Sequence, residues 1–245
     1  MPVKKYRIDS STTALIKRAA RSQADSGLNE IIVNGANIQR KKRDLATLRL
    51  RSSKRKIYRS LEEHNQDVCK CQKCPLGATR TRFVYGVGNP KAKVIFIGEA
   101  PGRDEDLQGE PFVGRAGQLL DRILAAVKFT REEVYIANIL KCRPPGNRDP
   151  QPDEMATCLP YLLEQIRLIK PQIICALGRI SAQALLQTTT PIGKLRKVWH
   201  EFQGIPLLVT YHPAALLRFP AYKRDVWEDV QILRTRYDEL PEKKR

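Results

Sequence analysis

From about residue 68 onward, short apolar runs alternate with helical patterns, and this alternation restricts the possible folds more than any other feature. The runs 93–98 (KVIFIG), 134–140 (VYIANIL), 172–177 (QIICAL) and 206–210 (PLLVT) are apolar on both faces, as strands buried inside a parallel sheet must be. Helical patterns at 116–127, 152–169, 178–186 and 222–237 separate and close them. Strands alternating with helices imply an α/β fold, a three-layer αβα sandwich around a central four-stranded, mainly parallel sheet. In such sheets, sites form outside the carboxyl ends of the strands. Three of the four strands run into distinctive loops there: GEAPGRDED, KCRPPGNRDP and YHPAALLR.

Charge divides the chain differently. The protein has 245 residues, a formal net charge of +18 and a 42% hydrophobic content, enough to bury a core. The first 68 residues hold 16 Lys+Arg against 7 Asp+Glu, and the remaining 177 hold 28 against 19. Residues 1–67 therefore read as a basic, largely unpacked extension with a transient helix near 12–22, and 68–240 as the folded domain. A further helix is expected to start near Ile57 and lead into the first cysteines. Such a balance points towards a polyanion, with nucleic acid the first candidate. No apolar run approaches the ~20 residues that span a bilayer, so no membrane is expected. The N-terminus lacks the apolar core of a secretory signal, and Asp9, Asp25 and Glu30 argue against a transit peptide without excluding organellar targeting. A cytoplasmic, nucleoid-associated protein of prokaryotic type is the expectation.

Six cysteines without a signal peptide belong in a reducing compartment, where clusters bind metal or do redox chemistry. Cys71 and Cys74 form a CxxC pair, and Cys142 and Cys158 lie far downstream. Four thiolates suit zinc or an iron–sulfur cluster equally well on spacing alone. Cys175 lies inside an apolar strand and reads as core, and Cys69 as a spare thiol.

Six segments in order resemble the family 4 uracil-DNA glycosylases: Cys71-x2-Cys74, GEAPGRDED (98–106), PFVGRAGQLL (111–120), Asn138 with KCRPPGNR (141–148), Cys158, and HPAALLR (212–218). The resemblance spans about residues 71–237 and leaves 1–67 unexplained. It implies a DNA-repair enzyme that flips uracil out of DNA and hydrolyses its N-glycosidic bond, the first step of base-excision repair. It also implies a [4Fe–4S] cluster on the four cysteines, in a monomer acting on single- or double-stranded uracil-containing DNA without a nucleotide cofactor.

Residue by residue, the resemblance implies that His212 donates to uracil O2 as negative charge grows there. Asn138 reads the N3–H and O4 edge; an amide supplies the acceptor and the donor that uracil, but not cytosine, requires. Phe112 stacks on the flipped base, Glu105 crowds the position of the thymine methyl, and Glu99, Ala100 and Pro101 line the pocket. Ala100 stands where many family 1 enzymes carry a water-positioning Asp, so Asn147 and Glu99 are the candidates for orienting water, with Asn147 preferred. Leu216 is expected to wedge into the minor groove and Arg218 to hold a phosphate. No lysine occupies a position suited to lyase chemistry. The rival readings are a non-enzymatic zinc- or iron-bearing nucleic-acid-binding protein and a broader glycosylase of the family 5 kind.

Overall fold

A computed structural model describes residues 56–241. Expectations for residues 1–55, including the helix near 12–22, lie outside the described residues. The compact unit opens at Tyr58. Its first helix, α1 (Leu61–Val68), is capped by Ser60, whose side chain accepts from the Glu63 N–H. Leu61, His64 and Val68 on α1 are buried, so this helix packs although charge alone assigns it to the extension.

The sheet has six strands rather than four. β1 (Val87–Gly88), β2 (Val94–Gly98), β3 (Tyr135–Asn138), β4 (Ile173–Leu177), β5 (His200–Phe202) and β6 (Ile205–Thr210) lie in the order β1-β3-β2-β4-β6-β5. The four expected strands form the parallel centre, and the two short ones pair antiparallel at the edges. β5 joins β6 through Gln203 (φ 51°) and Gly204 (φ 81°), the positive dihedrals of a two-residue hairpin. β5 and β1, at three and two residues, leave too short a pattern to read in sequence.

Every residue of β2, β3 and β4 is buried, because both faces are covered. Alternate side chains divide between two cores. Ile95, Ile97, Ile174 and Ala176 meet Leu162, Ile166 and Ile169 of the helix Pro152–Ile169. Phe96, Ile136, Cys175 and Leu208 meet the helices Arg115–Ala126 and Tyr222–Asp238. Cys175 is thus a core residue, its thiol pushed up by burial. In chain order the remaining helices are α2 (Leu76–Thr79), α3 (Arg103–Gln108), α4 (Arg115–Ala126), α5 (Pro152–Ile169), α6 (Arg179–Leu186), α7 (Ile192–Leu195), α8 (Pro213–Arg218) and α9 (Tyr222–Asp238).

The pairing register decides where the strands end. Gly98 pairs with Asn138, and Leu177 with Thr210, so the carboxyl ends of four adjacent strands finish at one level. β2 connects to β3 on one side, whereas β4 and β6 lie on the other, which makes this end a topological switch point. Gly98 is required there by close approach. A Cβ would stand 2.4 Å from Asn138 Oδ1 and 2.7 Å from Phe112 Cζ. Gly98→Ala should therefore cost about 1–3 kcal/mol by overpacking and displace both side chains. Thermal melts read together with base-excision assays check this; an unchanged melt with full activity would contradict it.

Candidate active site

Beyond those strand ends lies an open cavity of about 700 Å³. Glu99, Ala100, Pro101, Glu105, Phe112, Asn138, Asn147, His212 and Arg218 all line it. Residues 138 and 212, from opposite halves of the sheet, share one space.

Asn138 ends β3 and is only 2% exposed. Its Oδ1 is buried and accepts no hydrogen bond among the described residues. A buried acceptor without a donor costs roughly 1–3 kcal/mol, so it calls for a ligand N–H. Phe112, in a turn with φ 56°, packs its ring 5.3 Å from that of His212, at 30°.

His212 stands directly after the Tyr211 that ends the run from β6, and it caps α8. Pro213 takes the first helical position, and the His212 Nδ1 accepts from the Ala214 N–H at 3.1 Å. An accepting Nδ1 carries no proton, so in the neutral ring the hydrogen sits on Nε2. Burial, helped by the Arg218 charge, pulls the pKa of His212 down to about 4. The imidazole is therefore neutral at physiological pH and acts as a donor through Nε2–H. Gly178, with φ 97°, passes so close that a Cβ would meet the His212 Cβ at 2.9 Å.

Glu99 sits half-buried at the end of β2. Burial first, then the Asp149 charge, raises its pKa to about 7, against the opposing pull of Arg179 and Arg218. Asn147, exposed at φ 55°, has its Oδ1 engaged by the Arg143 Nε–H at 2.8 Å. Of the two candidates for orienting water, Glu99 is thus the one with a tunable carboxylate in the cavity.

Two expected residues take different positions from those the sequence implies. Leu216 is 2% exposed and packs in the core beside α4 and α9. It cannot enter DNA without emptying that core. HPAALLR is a helix, not an extended loop, and its rotation turns Leu216 inward and Leu217 outward. Leu217 is 39% exposed and lines the cavity mouth beside Arg218. Glu105, expected to face uracil C5, lines the cavity while its carboxylate accepts from the N–H groups of Gly102 (3.1 Å), Val113 (2.9 Å) and Gly114 (2.9 Å). It binds the loop after β2 to the turn that carries Phe112. A glutamate three residues after the Gly102 that precedes α3 signals only the first of these bonds in the sequence.

The loop 142–150 has its own anchor, which the sequence does not reveal. Arg148 donates to both Glu154 oxygens, at 2.6 and 2.9 Å, and holds that carboxyl below its ordinary pKa.

Cys142 opens this loop, Cys158 follows it on α5, and Cys71 and Cys74 pack against the same core. Burial pushes the Cys142 thiol up to about 11 and the Cys158 thiol up to about 12. Donors nonetheless gather on the sulfurs. Arg80 donates to Cys142 Sγ (3.4 Å), the Lys141 N–H to Cys158 Sγ (3.2 Å), and Tyr161 Oη and the Lys73 N–H to Cys71 Sγ (3.1 and 3.4 Å). Such donors suit thiolates bound to a cationic centre. Among the described residues no three His, Cys, Asp or Glu side chains close around a single metal ion. Cys69 instead donates weakly to the Gln66 carbonyl.

A profile of the uracil DNA glycosylase superfamily matches residues 85–231. The chain belongs to that superfamily. It is 46% identical to the type-4 uracil-DNA glycosylase of Archaeoglobus fulgidus over 178 residues, 69% of this chain and 89% of that protein. The type-4 enzyme of Thermotoga maritima is 42% identical, over 70% and 91%. The type-5 enzyme of Thermus thermophilus is 31% identical over 54% of this chain and 68% of its own. The glycosylase expected from the loops is borne out, as is the resemblance to the type-4 branch. No described helix is long and apolar enough to cross a membrane.

The two leucines of α8 give a direct check. Leu216→Ala should destabilise the fold by about 2–5 kcal/mol, whereas Leu217→Ala should stay within about 0.5 kcal/mol. Denaturant titrations of both variants decide; equal losses would mean that the helix is turned differently.

Proposed function

We propose that the protein extracts uracil from DNA and hydrolyses its bond to deoxyribose, with Asn138 reading the base and His212 stabilising the leaving group. The observation that carries this reading is the unpartnered Asn138 Oδ1 in a cavity also lined by His212, whose Nδ1 is an acceptor and leaves the proton on Nε2. A binding protein without chemistry has no use for that pair.

A base inside a duplex is out of reach, so it must be flipped, at a cost of a few kcal/mol. Phe112 offsets part of that cost by stacking, which is worth about 1–3 kcal/mol per base. Asn138 Oδ1 accepts from uracil N3–H and its amide N–H donates to O4. Cytosine presents an acceptor and a donor in those places and leaves the asparagine mispaired.

As the C1′–N1 bond breaks, positive charge develops on the sugar and negative charge on uracil. His212 donates to O2, and being neutral it gives a hydrogen bond without surrendering a proton. Water forms the new bond to C1′, and Glu99 orients it and takes up its proton. An oxocarbenium-like centre needs only a weak base. The products are free uracil and an abasic site. Leu217, exposed beside the cavity, replaces Leu216 as the wedge that fills the vacated stack, and Arg218 grips the backbone.

Cys71, Cys74, Cys142 and Cys158 would hold a [4Fe–4S] cluster, supported by the sulfur-directed donors and the type-4 relatives. When bound, the cluster would supply a crosslink between the separated segments that carry these cysteines. The protein acts as a monomer without a nucleotide cofactor, in the prokaryotic cytoplasm where its DNA lies.

An oligonucleotide with one deoxyuridine, treated with the protein and then alkali, should break at that position. His212→Ala should slow cleavage by about 10²–10³-fold while DNA binding persists, and Asn138→Asp should weaken discrimination against cytosine. Parallel loss of cleavage and binding in His212→Ala would overturn the assignment.

The pH profile separates the two titrating groups. If the Glu99 anion is the active form, kcat/KM should rise from pH 6 to 8 with a midpoint near 7. His212, neutral above about pH 4, should add no inflection in that window. In Glu99→Gln the rise should vanish; an unchanged midpoint would remove Glu99 from the role.

A further inference from the structure

Lys141 and Asp229 are the two charged side chains with no exposure among the described residues, and Lys141 is the one that stands beside the cysteines. It is 0% exposed, immediately precedes Cys142, and stands three residues after the base-reading Asn138. A buried ammonium costs several kcal/mol unless it is paired and hydrogen-bonded. Its Nζ donates to the Asn138 carbonyl at 2.9 Å and to Gln165 Oε1 at 2.6 Å. Gln165 is held in turn, donating to the Tyr85 carbonyl and to Tyr135 Oη. No carboxylate pairs with Lys141 among the described residues; the Cys158 and Cys142 sulfurs act on it electrostatically and become anionic when they ligate a metal centre. Its backbone N–H donates to Cys158 Sγ.

One residue therefore touches both the cysteine group and the backbone of the residue that reads uracil. We infer that Lys141 is a positioning residue that couples the cysteine-held cluster to uracil recognition, its ammonium balanced by the thiolates while its tip fixes the Asn138 peptide. This rests on the proposed roles of Asn138 and of the cluster. The logic is that of a buried outer-shell partner, whose loss typically costs 10–100-fold in metal affinity or activity. A lysine serving only to fill space would hold the loop but carry no signal between the two sites.

The test measures the affinity for free uracil by titration calorimetry, with iron content followed by absorbance near 400 nm. In the wild-type holoprotein, uracil should bind, and removal of iron by a chelator should weaken it. Lys141→Met keeps the volume but loses the charge and both hydrogen bonds. It should weaken uracil binding about tenfold, release iron faster, and make the remaining affinity insensitive to iron removal. If that variant does not fold by circular dichroism, Gln165→Met decides, because it keeps the ammonium and removes one acceptor; it should weaken uracil binding severalfold. Unchanged uracil affinity in the folded variant, or in Gln165→Met where it alone folds, would overturn the coupling. Absence of uracil binding in the wild-type holoprotein would instead overturn the reading of the pocket.

Discussion

The active site depends on register. β2 and β3 are paired so that Gly98 stands opposite Asn138, and the same level is reached by β4 and β6 at Leu177 and Thr210. A slip of one residue would reverse every side chain and turn Asn138 to the other face of the sheet. The register is fixed because both faces are packed, with Ile97 and Phe96 committed to opposite cores. Glycine at 98 completes the arrangement, leaving space that Asn138 Oδ1 and the Phe112 ring occupy. Recognition thus begins in the sheet's hydrogen-bond ladder rather than in the loops.

The pocket's electrostatics derive from the same burial. Desolvation disfavours charge, so it holds His212 neutral and lifts the Glu99 carboxyl towards neutrality. In the role proposed for His212 this is useful, because a neutral donor stabilises a growing anion without competing to become its acid. The α8 N–H at Ala214 settles which nitrogen carries the hydrogen. Behind β6, Thr210 donates to Asp229 and Arg196 pairs with the same carboxylate while lying over the Tyr211 ring. Thr210 and Tyr211, the two residues before His212, are thereby held from behind.

The sequence discloses the parts that obey a period. Four buried strands and the long helices are legible because burial on both faces, or on one stripe, repeats over many residues; α5 matches its expected span, 152–169. The pocket residues are legible only through the resemblance, since nothing periodic marks Asn138 or His212. Differences arise where a short element rotates a side chain. An extended HPAALLR loop would put Leu216 outside, although a proline directly after a capping histidine is a helix-start signal. Glu105 looks like a ligand contact in sequence because its partners are backbone N–H groups, which a sequence does not display. Lys141 resembles a loop lysine, and only three-dimensional packing shows it enclosed.

The loop 142–150 gives the proposed crosslink a structural reason. It has a single 3₁₀ turn, Pro145–Asn147, and otherwise no repeating hydrogen bonds, yet it must bring Asn147 and Arg148 to the cavity. Left alone, such a segment would sample many conformations, and ordering each residue costs about 1–2 kcal/mol. Cys142 and Cys158 bracket it, Arg148 clamps it to Glu154, and the CxxC pair lies some 70 residues earlier in the chain. Linking segments so distant removes more freedom from the unfolded chain than a local bond can. The proposed staple would therefore hold an irregular loop that lines the cavity.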